Sequence, residues 1–426
     1  MAPKRKIEEV KSTPLKTKRT KFSLEFVKLP DITAGGEVLV TGSGDVGQLG
    51  LGPDVLEKSR AALVKLDHEI VDVYAGGMHT VCITKKGKVL TFGCNDEGAL
   101  GRVTDGKEDA EFTPGEVELP AKVIQVTAGD SHTAALLEDG RVFAWGTFRD
   151  SHGNMGLTIN GNERFPYEII HDQKILKIAS GADHIVFLNS DGQVFTCGCA
   201  EQGQLGRITK RGSDRNSRAF SISKNLGGLV CPGPIVLKAS SKLHFDNIWA
   251  GTYSTFIRVA DKKDIYVFGL NNFNQIGLDI TEPNYIPMIS KDFSKYNWRH
   301  ISGGQHHTLG LTTDGKVYAI GRKEYGRLGL GKGSDDAKTL TEITSLSKEE
   351  IVNVACGSAT SFAVSAQGIL YGWGMGTNGQ LGLGEDDDYD EPTQVKSKQM
   401  NDRKIVRVSS GGQHTVILSS PISQKI

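Results

Sequence analysis

The sequence predicts an all-β protein, a seven-bladed β-propeller assembled from repeats of about fifty residues. The main observation is a phrase of the type Ala-Gly-Gly-x-His that returns, with variations, seven times along the 426 residues. Units of this size bury their apolar faces only against neighbouring copies, so the repeat decides the architecture. The anchoring glycines of the seven copies are Gly76, Gly129, Gly181, Gly251, Gly303, Gly357 and Gly411.

Each repeat has the pattern of a small antiparallel sheet. In the second repeat, short β-branched and aromatic runs occupy 123–129, 132–137 and 141–146, and Asp139-Gly140 separates the last two. A two-residue Asp-Gly turn between such runs is a strong hairpin signal. Each repeat then ends in a closing loop that runs from one glycine to another, and no helical period competes with this pattern. We therefore expect seven four-stranded blades around a common axis.

The two ends of the chain complement each other. The sequence begins with the closing half of a repeat, 38–50, and finishes with an opening half, 406–418. Together the halves make one blade, which shuts the ring and removes exposed sheet edges. A solenoid is the alternative, but a solenoid would want polar caps instead of two complementary halves. The expected organisation is a disordered tail over 1–30, the propeller over 31–420 and a short tail over 421–426.

Charge is distributed unevenly although the chain is neutral overall. Residues 1–21 hold eight basic side chains against Glu8 and Glu9, so the tail carries +6 and the remainder −6. A basic segment with few aliphatic residues stays disordered and seeks acidic partners such as DNA, whereas the ring should seek a basic partner. The chain has neither an apolar run of 18 residues nor a secretory leader, which predicts a soluble intracellular protein without membrane contact. The six cysteines are scattered and indicate neither a metal site nor a disulfide framework.

One face of the disc is predicted to carry the function. A hairpin returns its second strand to the end where the first began, so the Gly-x-x-His segments and the closing loops share a face and the Asp-Gly turns lie opposite. Carboxylates on that face favour a basic partner and fast, steered encounter. The alternative is that acidic residues simply favour turns. The carboxylates concerned are Asp45, Asp96, Asp130, Asp183, Glu201 and Glu324.

Histidines recur at one position of the repeat, and recurrence favours a structural role. A ring nitrogen that satisfies the loop backbone is the expected function of each, and the His306-His307 pair is not a metal site without added ligands. The histidines assigned to this position are His79, His132, His184, His306 and His414.

Two insertions depart from the repeat. The third closing loop spans ten residues from Gly146 to Gly156, where the six others span eight, so 147–154 should protrude from the working face. The fourth closing loop is followed by about 17 extra residues, whose first part, 207–218, has five basic side chains and one acidic one. Arginines in such a loop suit phosphate or an acidic protein patch. For the third closing loop the alternative is a change of length without functional consequence, and for the insertion it is a solvated surface loop.

No catalytic constellation is present. The sequence lacks a nucleophile elbow, a phosphate-binding Gly-Lys-Ser loop and an H-E-x-x-H motif. We therefore expect a protein without covalent chemistry and without a cofactor or metal.

Several longer phrases of the repeats are distinctive. They are Gly44-Asp-Val-Gly-Gln-Leu-Gly50, Ala75-Gly-Gly-Met-His-Thr80, Phe92-Gly-Cys-Asn-Asp-Glu-Gly-Ala-Leu-Gly-Arg102, Ala128-Gly-Asp-Ser-His-Thr133 and Tyr325-Gly-Arg-Leu-Gly329. These phrases resemble the regulator-of-chromosome-condensation family, and the resemblance extends over the whole chain, tail included. A generic member of the repeat superfamily would share only the Gly-Gln-Leu-Gly loops.

The resemblance implies a nuclear, chromatin-associated guanine nucleotide exchange factor for the GTPase Ran, a monomer that takes part in nucleocytoplasmic transport, mitosis and spindle assembly. Positions that match the family's GTPase contacts are Asp45, Asp130, Asp183, Arg207, His306 and His414. Positions that match its wedge loop are Thr147, Phe148, Arg149, Asp150, Ser151, His152, Gly153 and Asn154.

The same resemblance places chromatin contacts in the insertion and the tail. Arg211, Arg215 or Arg218 is expected to meet the acidic patch of histones. The tail is expected to bind nucleosomal DNA and a nuclear import receptor, with N-terminal methylation at Ala2 and a mitotic phosphorylation site at Thr13. Its basic residues include Lys4, Arg5, Lys6, Lys16, Lys18, Arg19 and Lys21.

Two other functional classes share this repeat architecture. A propeller that only binds a basic protein, without changing nucleotide release, remains the alternative. A photoreceptor-like member of the same fold would need a tryptophan cluster, and the four tryptophans lie in four different repeats.

Overall fold

A computed structural model describes residues 24–26, 36–107, 109–215, 225–237 and 243–422. Within these ranges strands predominate, as the all-β prediction requires, and the helices are short. No helix in the described ranges has both the length and the apolar character that crossing a membrane requires.

The strands follow one another through the chain with few interruptions. Strands of the first half are β1 Glu37–Ser43, β2 Glu57–Val64, β3 Ile70–Ala75, β4 His79–Thr84, β5 Val89–Gly93, β6 Gly115–Val117, β7 Val123–Ala128, β8 His132–Leu137, β9 Val142–Gly146, β10 Phe148–Asp150, β11 Gly153–Gly156, β12 Glu163–Ile170, β13 Ile175–Ser180, β14 His184–Asn189 and β15 Val194–Gly198. Strands of the second half are β16 Gly233–Pro234, β17 Phe245–Gly251, β18 Ser254–Val259, β19 Ile265–Gly269, β20 Asn284–Ile289, β21 Trp298–Gly303, β22 His307–Thr312, β23 Val317–Gly321, β24 Ala337–Glu342, β25 Ile351–Cys356, β26 Thr360–Ser365, β27 Leu370–Gly374, β28 Tyr389–Gln394, β29 Arg403–Ser410 and β30 His414–Pro421. The short helices are α1 Lys210–Ser213, α2 Gly227–Val230 and the 3-10 turns Phe293–Lys295, Glu324–Gly326, Thr344–Leu346 and Lys398–Met400.

Most sheets consist of four strands from one repeat. In the described residues the four-stranded orders are β3-β4-β5-β6, β7-β8-β9-β12, β13-β14-β15-β16 and β25-β26-β27-β28. An eight-stranded sheet, β20-β19-β18-β17-β21-β22-β23-β24, contains two further repeats joined only by a parallel pairing of Gly251 with Gly303. Strands β10 and β11 form a separate two-stranded ribbon.

One sheet combines the two ends of the chain. Its order is β2-β1-β30-β29, so the first strand of the molecule lies beside the last. Strands β1 and β30 pair antiparallel from Glu37 opposite Ser419 to Gly42 opposite His414. This is the pairing of half-repeats that the sequence predicts.

The turn between the second and third strand of a repeat uses the predicted glycine but is not the predicted two-residue Asp-Gly turn, because its central residues in the second repeat are Glu138 and Asp139. In the second repeat, the N–H of Gly140 donates to the carbonyl of Leu137 at 3.0 Å. Gly140 has a φ of +93°, which glycine adopts without a steric penalty. The Asp139-Gly140 dipeptide therefore sets where strand β8 ends and β9 begins.

The apolar core lies between neighbouring sheets. Successive residues of a strand point to opposite faces, and on β8 this divides the side chains cleanly. Ala134 and Leu136 pack toward the following sheet, which contains Ile185. Ala135 and Leu137 pack toward the preceding sheet. Each sheet thus buries both faces, at roughly 1.5–3 kcal/mol for each large side chain that leaves water.

Backbone hydrogen bonds also join each repeat to the next at one end of the sheets. The loop between the first and second strand of one repeat donates to the same loop of its neighbour. The series runs Gly77 to Gly129, Asp130 to Ala182, Ala182 to Thr252, Thr252 to Gly303, Gln305 to Ser358, Ser358 to Gly411, and Gly412 back to Gly77.

The first strands of all seven repeats line one central cavity of about 320 Å³. Its wall includes charged and polar side chains, and Arg407 pairs there with Asp72 at 2.8 Å. One residue from each first strand is Tyr74, Gln125, Lys177, Trp249, His300, Asn353 and Arg407.

The fifth repeat is offset by one residue from its predicted register. Gly304, not Gly303, takes the position of the anchoring glycine, because the N–H of Gly304 donates to the carbonyl of His307 at 2.9 Å. Gly76 and His79 make the same bond at 2.8 Å in the first repeat. The recurring histidine of this repeat is therefore His307, and the assignment of His306 to that position is wrong.

Candidate functional site

The third closing loop folds into the β10–β11 hairpin. Its base is buried: Phe148 has no exposed surface, and its ring lies edge-on to the ring of His132 at 4.9 Å between centroids. Thr147 is buried as well. The expectation that the whole of 147–154 projects is therefore wrong for its first two residues, which belong to the core. The exposed part is the tip, 149–154.

Glu97, from the preceding closing loop, holds one side of the tip. Its carboxylate accepts from Nη1 of Arg149 at 3.0 Å and from Nδ2 of Asn154 at 2.8 Å. Sequence reasoning missed Glu97, although the signal was present. The same place in the other eight-residue closing loops is taken by Val46, Gln202, Phe273, Tyr325 or Asn378, so Glu97 is a carboxylate that departs from the repeat.

Carboxylates of the following repeat hold the other side of the tip. Oδ1 of Asp183 accepts from the backbone N–H of Arg149 at 2.7 Å. Glu201 accepts from the backbone N–H of Ser151 at 2.9 Å. The structure thus brings the predicted wedge loop and two of the predicted face carboxylates, Asp183 and Glu201, into direct contact.

Asp130 and Asp183 form a close pair of carboxylates at the base of the hairpin. Burial raises the pKa of Asp183 to about 7, and the nearby charge of Asp130 adds to the shift. Although Asp130 is exposed, the protein around its carboxyl group partly desolvates this group and raises its pKa, while the Arg149 guanidinium opposes the shift. The carboxylate of Asp130 makes no hydrogen bond or ion pair with any residue the structure describes, and Asp130 is exposed. The pair therefore offers negative charge to an incoming cation.

Asp45 stands apart from that pair, in the closing loop after β1. It accepts from Oγ of Ser43 and from Nε2 of Gln48, both at 2.9 Å. The Gln48 bond holds the pKa of Asp45 below its usual range, so the carboxylate is ionised at neutral pH. The loop returns beside the end of β30, where the N–H of Ser43 donates to the carbonyl of Gln413 at 2.9 Å. Gln413 precedes His414 as Asp183 precedes His184, so Asp45 lies at the hairpin's end of the sheets.

His414 lies inside the protein and not on a face. It has no exposed surface, its Nε2 lies 3.0 Å from Oγ1 of Thr80, and burial lowers its pKa to about 3. Because that hydroxyl donates to the carbonyl of Gln48, it accepts from His414, whose ring is neutral. The expectation that His414 contacts a GTPase is therefore wrong for this structure.

The same arrangement recurs from sheet to sheet. In each case a buried histidine bonds a hydroxyl of the next repeat, and not the loop backbone as the sequence suggested. We call these histidines the histidine belt. Its members and partners are His79 with Thr133, His132 with Ser180, His184 with Thr255, His307 with Ser361 and His414 with Thr80.

His306 occupies the position that Asp183 has in its own repeat, directly before the recurring histidine. It is half-buried, with Nδ1 3.3 Å from Oδ1 of Asn272 and its ring 5.3 Å from that of Phe273. Burial lowers the pKa of His306, so a neutral ring faces the loop surface. His306 is therefore a loop residue and not a member of the recurring histidine position, and its role in partner contact stays a prediction.

The guanidinium group of Arg207 is hydrogen-bonded within its own repeat. All three guanidinium nitrogens donate to backbone carbonyls, including those of Thr196, Gly228 and Cys231 at 2.7–3.1 Å. Arg102 makes corresponding bonds in the first repeat. In this structure Arg207 therefore fixes the start of the insertion and does not extend its donors toward a partner.

The three insertion arginines differ in their surroundings. Arg211 is exposed in α1, and Arg218 lies outside the described residues. Arg215 is committed to the hairpin, because its Nε and Nη2 each bond an oxygen of Asp150 at 2.5 Å. In this structure Arg215 is therefore engaged within the protein, and the expected contact of Arg211, Arg215 or Arg218 with histones stays a prediction. The tail sites Ala2 and Thr13, together with the basic residues of 1–21, also lie outside the described residues.

Asp150, His152 and Glu201 approach one another closely enough to share an ion. Arg215 already neutralises Asp150, and Ser151 donates to Glu201, so these carboxylates have protein partners. The site as a whole combines two nearby carboxylates, a hairpin held by its neighbours, and Asp45 at the same end.

Comparison with known proteins gives consistent relatives over nearly the whole chain. A family model described as the RCC1-like domain matches residues 37–417. The chain is 49% identical over 391 residues to the Regulator of chromosome condensation of Xenopus laevis, which covers 91% of this chain and 90% of that protein. It is 30% identical over 438 residues to the Guanine nucleotide exchange factor SRM1 of Saccharomyces cerevisiae, covering 89% and 86% of the two chains.

Solved structures agree with these relatives. Yeast RCC1 (Prp20), in its crystal structure with Kap60, matches with a TM-score of 0.85 at 29% identity and covers 99% and 98% of the two chains. The crystal structure of Prp20p from Saccharomyces cerevisiae, which was studied together with its binding to Gsp1p and histones, matches with a TM-score of 0.82 at 29% identity and covers 95% and 94%.

Proposed function

The chain belongs to the regulator of chromosome condensation family, with its RCC1-like domain, and from this premise we propose that it is a guanine nucleotide exchange factor for the nuclear GTPase Ran. It acts without covalent chemistry, by binding and stabilising the nucleotide-free GTPase. A relative at 30% identity is itself a guanine nucleotide exchange factor. The observation that carries the proposal is the uncommitted carboxylate of Asp130 beside Asp183 at the base of the clamped hairpin.

We further propose that the sheets form seven blades closed into a ring. Three observations support this arrangement: the pairing of β1 with β30, the series of backbone bonds that returns from Gly412 to Gly77, and a cavity lined by the first strand of every repeat. The single pairing of Gly251 with Gly303 is then a contact between two blades, not a continuous sheet.

The proposed mechanism uses the difference between the loaded and the empty GTPase. Accelerating nucleotide release by about 10⁵ means lowering its barrier by roughly 7 kcal/mol. Asp130 and Asp183 compete for the basic groups that otherwise hold phosphate, and the hairpin displaces the loop that supports the nucleotide. Asp183, whose pKa of about 7 leaves it partly protonated, loses its proton when a cation arrives, so docking releases protons at neutral pH.

The remaining face residues have secondary roles in this proposal. Asp45 and His306 extend the contact across the face, while Arg207 shapes the base of the insertion. His414 contributes only through the belt.

Chromatin attachment is proposed for the exposed part of the insertion and for the tail. Arg211 and Arg218 remain candidates for the histone acidic patch, and the basic tail for nucleosomal DNA and an import receptor. The binding of the relative Prp20p to histones supports nuclear, chromatin-associated work. Ala2 and Thr13 are the proposed methylation and phosphorylation sites, and the protein acts as a monomer away from membranes.

The test is release of a fluorescent guanine nucleotide from Ran. Asp183→Asn keeps an acceptor for the Arg149 N–H and removes only the charge, whereas Asp183→Ala removes both. We expect Asp130→Asn and Asp183→Asn to lower kcat at least tenfold, about 1.4 kcal/mol, with a smaller change in KM. Asp191→Asn, in a turn of the opposite end, is the matched control and should leave both constants unchanged.

Two outcomes would contradict the proposal. If the unmodified chain binds Ran but leaves nucleotide release at its spontaneous rate, the protein is an interaction scaffold. If both asparagine variants match the unmodified chain, the acidic pair does not carry exchange.

A further inference from the structure

The insertion that follows the fourth closing loop delivers one side chain to the hairpin of the preceding repeat. Arg207 anchors the start of the insertion, and α1 then turns the chain, with the hydroxyl of Thr209 accepting from the N–H of Gly212. Ser213 is buried at the end of this helix. Arg215 follows two residues later, so its backbone is carried by a segment fixed at both points.

Arg215 meets a carboxylate that has almost no other access to solvent. The side chain of Asp150 is 2% exposed, and that of Arg215 is 20% exposed. Nε and Nη2 of Arg215 each bond one oxygen of Asp150 at 2.5 Å, a bidentate arrangement. A buried carboxylate is strongly destabilised when its cation is removed.

The charges around the tip make this cation important. The carboxylates of Glu97, Asp183, Glu201 and Asp150 all lie against the tip. The arginines that pair with them are Arg149, from the tip itself, and Arg215, from the insertion. Without Arg215, Asp150 would keep the backbone N–H of His152 at 2.9 Å but would lose its arginine partner among acidic neighbours, and like charges repel.

We propose that Arg215 is a positioning residue for the exchange hairpin: it fixes Asp150, and through Asp150 the tip that acts on the GTPase. The effect on nucleotide exchange rests on the proposed function, whereas the claim that Arg215 holds the hairpin tip in place does not depend on it. It assigns one arginine of the insertion to the hairpin and leaves Arg211 and Arg218 for other partners.

The experiment measures the hairpin and the exchange reaction in parallel. Amide hydrogen exchange across 148–156 should be faster in Arg215→Ala and in Asp150→Asn than in the unmodified chain, with global unfolding little changed. In the Ran assay, Arg215→Ala should lower kcat about tenfold while KM for the GTPase stays within about twofold, because the tip acts after docking. Arg215→Lys should be intermediate, since lysine restores charge but not the bidentate bond.

Matched variants separate this role from general damage to the insertion. Arg211→Ala removes an exposed arginine of the same insertion and should change neither hydrogen exchange of the hairpin nor kcat. The double variant Asp150→Asn with Arg215→Ala should be no worse than Arg215→Ala alone, because both changes remove one interaction.

Unchanged hairpin protection in Arg215→Ala would overturn the proposal, and so would faster hydrogen exchange with an unaltered kcat. If the unmodified chain fails to accelerate nucleotide release, the proposed function falls together with the exchange part of this inference. The difference in hydrogen exchange between Arg215→Ala and Arg211→Ala would then still decide whether Arg215 holds the hairpin.

Discussion

Burial acts on basic groups in the histidine belt and on acidic groups in the hairpin region, and it shifts their pKa values in opposite directions. Belt histidines are buried and kept neutral, with pKa values lowered to about 4 for His79 and about 3 for His132. In the hairpin region burial acts on carboxyl groups instead and raises the pKa of Asp183 to about 7. The belt recurs in five repeats, whereas the hairpin occurs in one.

The difference teaches which departures from a repeat matter. A belt histidine bonds a hydroxyl of the next sheet through Nε2 and is buried, so it stabilises the fold and is not accessible to a partner protein. The hairpin tip depends on carboxylates from the repeats before and after it, Glu97 and Asp183, and on Arg215 of the insertion. Four of the regular closing loops instead use their own glutamine, as when Oε1 of Gln48 accepts from the N–H of Val46.

The largest expected effect is acid sensitivity caused by the belt. Each belt histidine binds a proton in the unfolded chain below about pH 6.5 but not in the folded one until far lower pH, so stability present above pH 6.5 is lost as the pH falls. Below about pH 6.5, each belt histidine lowers the free energy of unfolding by up to about 1.4 kcal/mol per pH unit, and the five together lower it by several kcal/mol. The pKa values of the carboxyl groups of Asp72, Asp130 and Asp183 are raised, which acts in the opposite direction, but these groups are fewer than the belt histidines.

Urea unfolding at pH 7, 6 and 5 measures this slope. His414→Gln should be less stable at pH 7 yet should flatten the slope by about one proton. A free energy of unfolding that stays level between pH 7 and pH 5 would mean that the belt histidines are not held neutral.

The adjacent residues His306 and His307 test the same contrast with one pair of variants. His307→Ala loses the bond to Ser361 and leaves a buried hydroxyl without its donor, which should cost about 1–3 kcal/mol. His306→Ala, at a half-buried loop position, should change the free energy of unfolding by about 0.5 kcal/mol or less. Urea midpoints of the two variants at pH 7.5 provide the measurement, and equal losses would argue against the corrected register.

The smallest expected effect concerns Asp183. Its raised pKa means that the folded state binds a proton which the unfolded chain has already lost, so its contribution to stability falls as the pH rises from about 4 through about 7. Asp183→Asn removes this pH-dependent loss of stability and keeps an acceptor for the backbone N–H of Arg149. Its Tm, relative to that of the unmodified chain, should rise between pH 5 and pH 8 by on the order of 1–2 °C. A difference in Tm that stays constant between pH 5 and pH 8 would show that the pKa of Asp183 is not raised.

Much of the fold followed from the repeat because its turns are chemically explicit. Asp139-Gly140 fixes a turn by local sterics alone, and the two half-repeats at the chain ends leave each other as partners. The register of the fifth repeat was harder. Gly303-Gly304 and His306-His307 allow two alignments, and the bond from Gly304 to His307 together with the pairing of His307 with Gly321 selects one.

The candidate site was predictable where residues depart from the repeat at a comparable position, as Asp130 and Asp183 do. Glu97 obeys the same rule and was overlooked. The Asp150–Arg215 pair could not be found in this way, because 65 residues separate its members and the insertion has no counterpart in other repeats. The buried state of Phe148 depends on packing against His132, which sequence spacing does not reveal.

The most direct test is nucleotide release from Ran by a chain whose third closing loop has been shortened to the regular length. Replacing 150–153 by Asn-Gly removes most of the tip and restores the regular spacing of eight positions from the first glycine of the loop to the last, while Phe148 stays in the core. The account predicts a folded protein that still binds Ran through Asp130 and Asp183 but accelerates release at least tenfold less. Full acceleration by the shortened chain would contradict it.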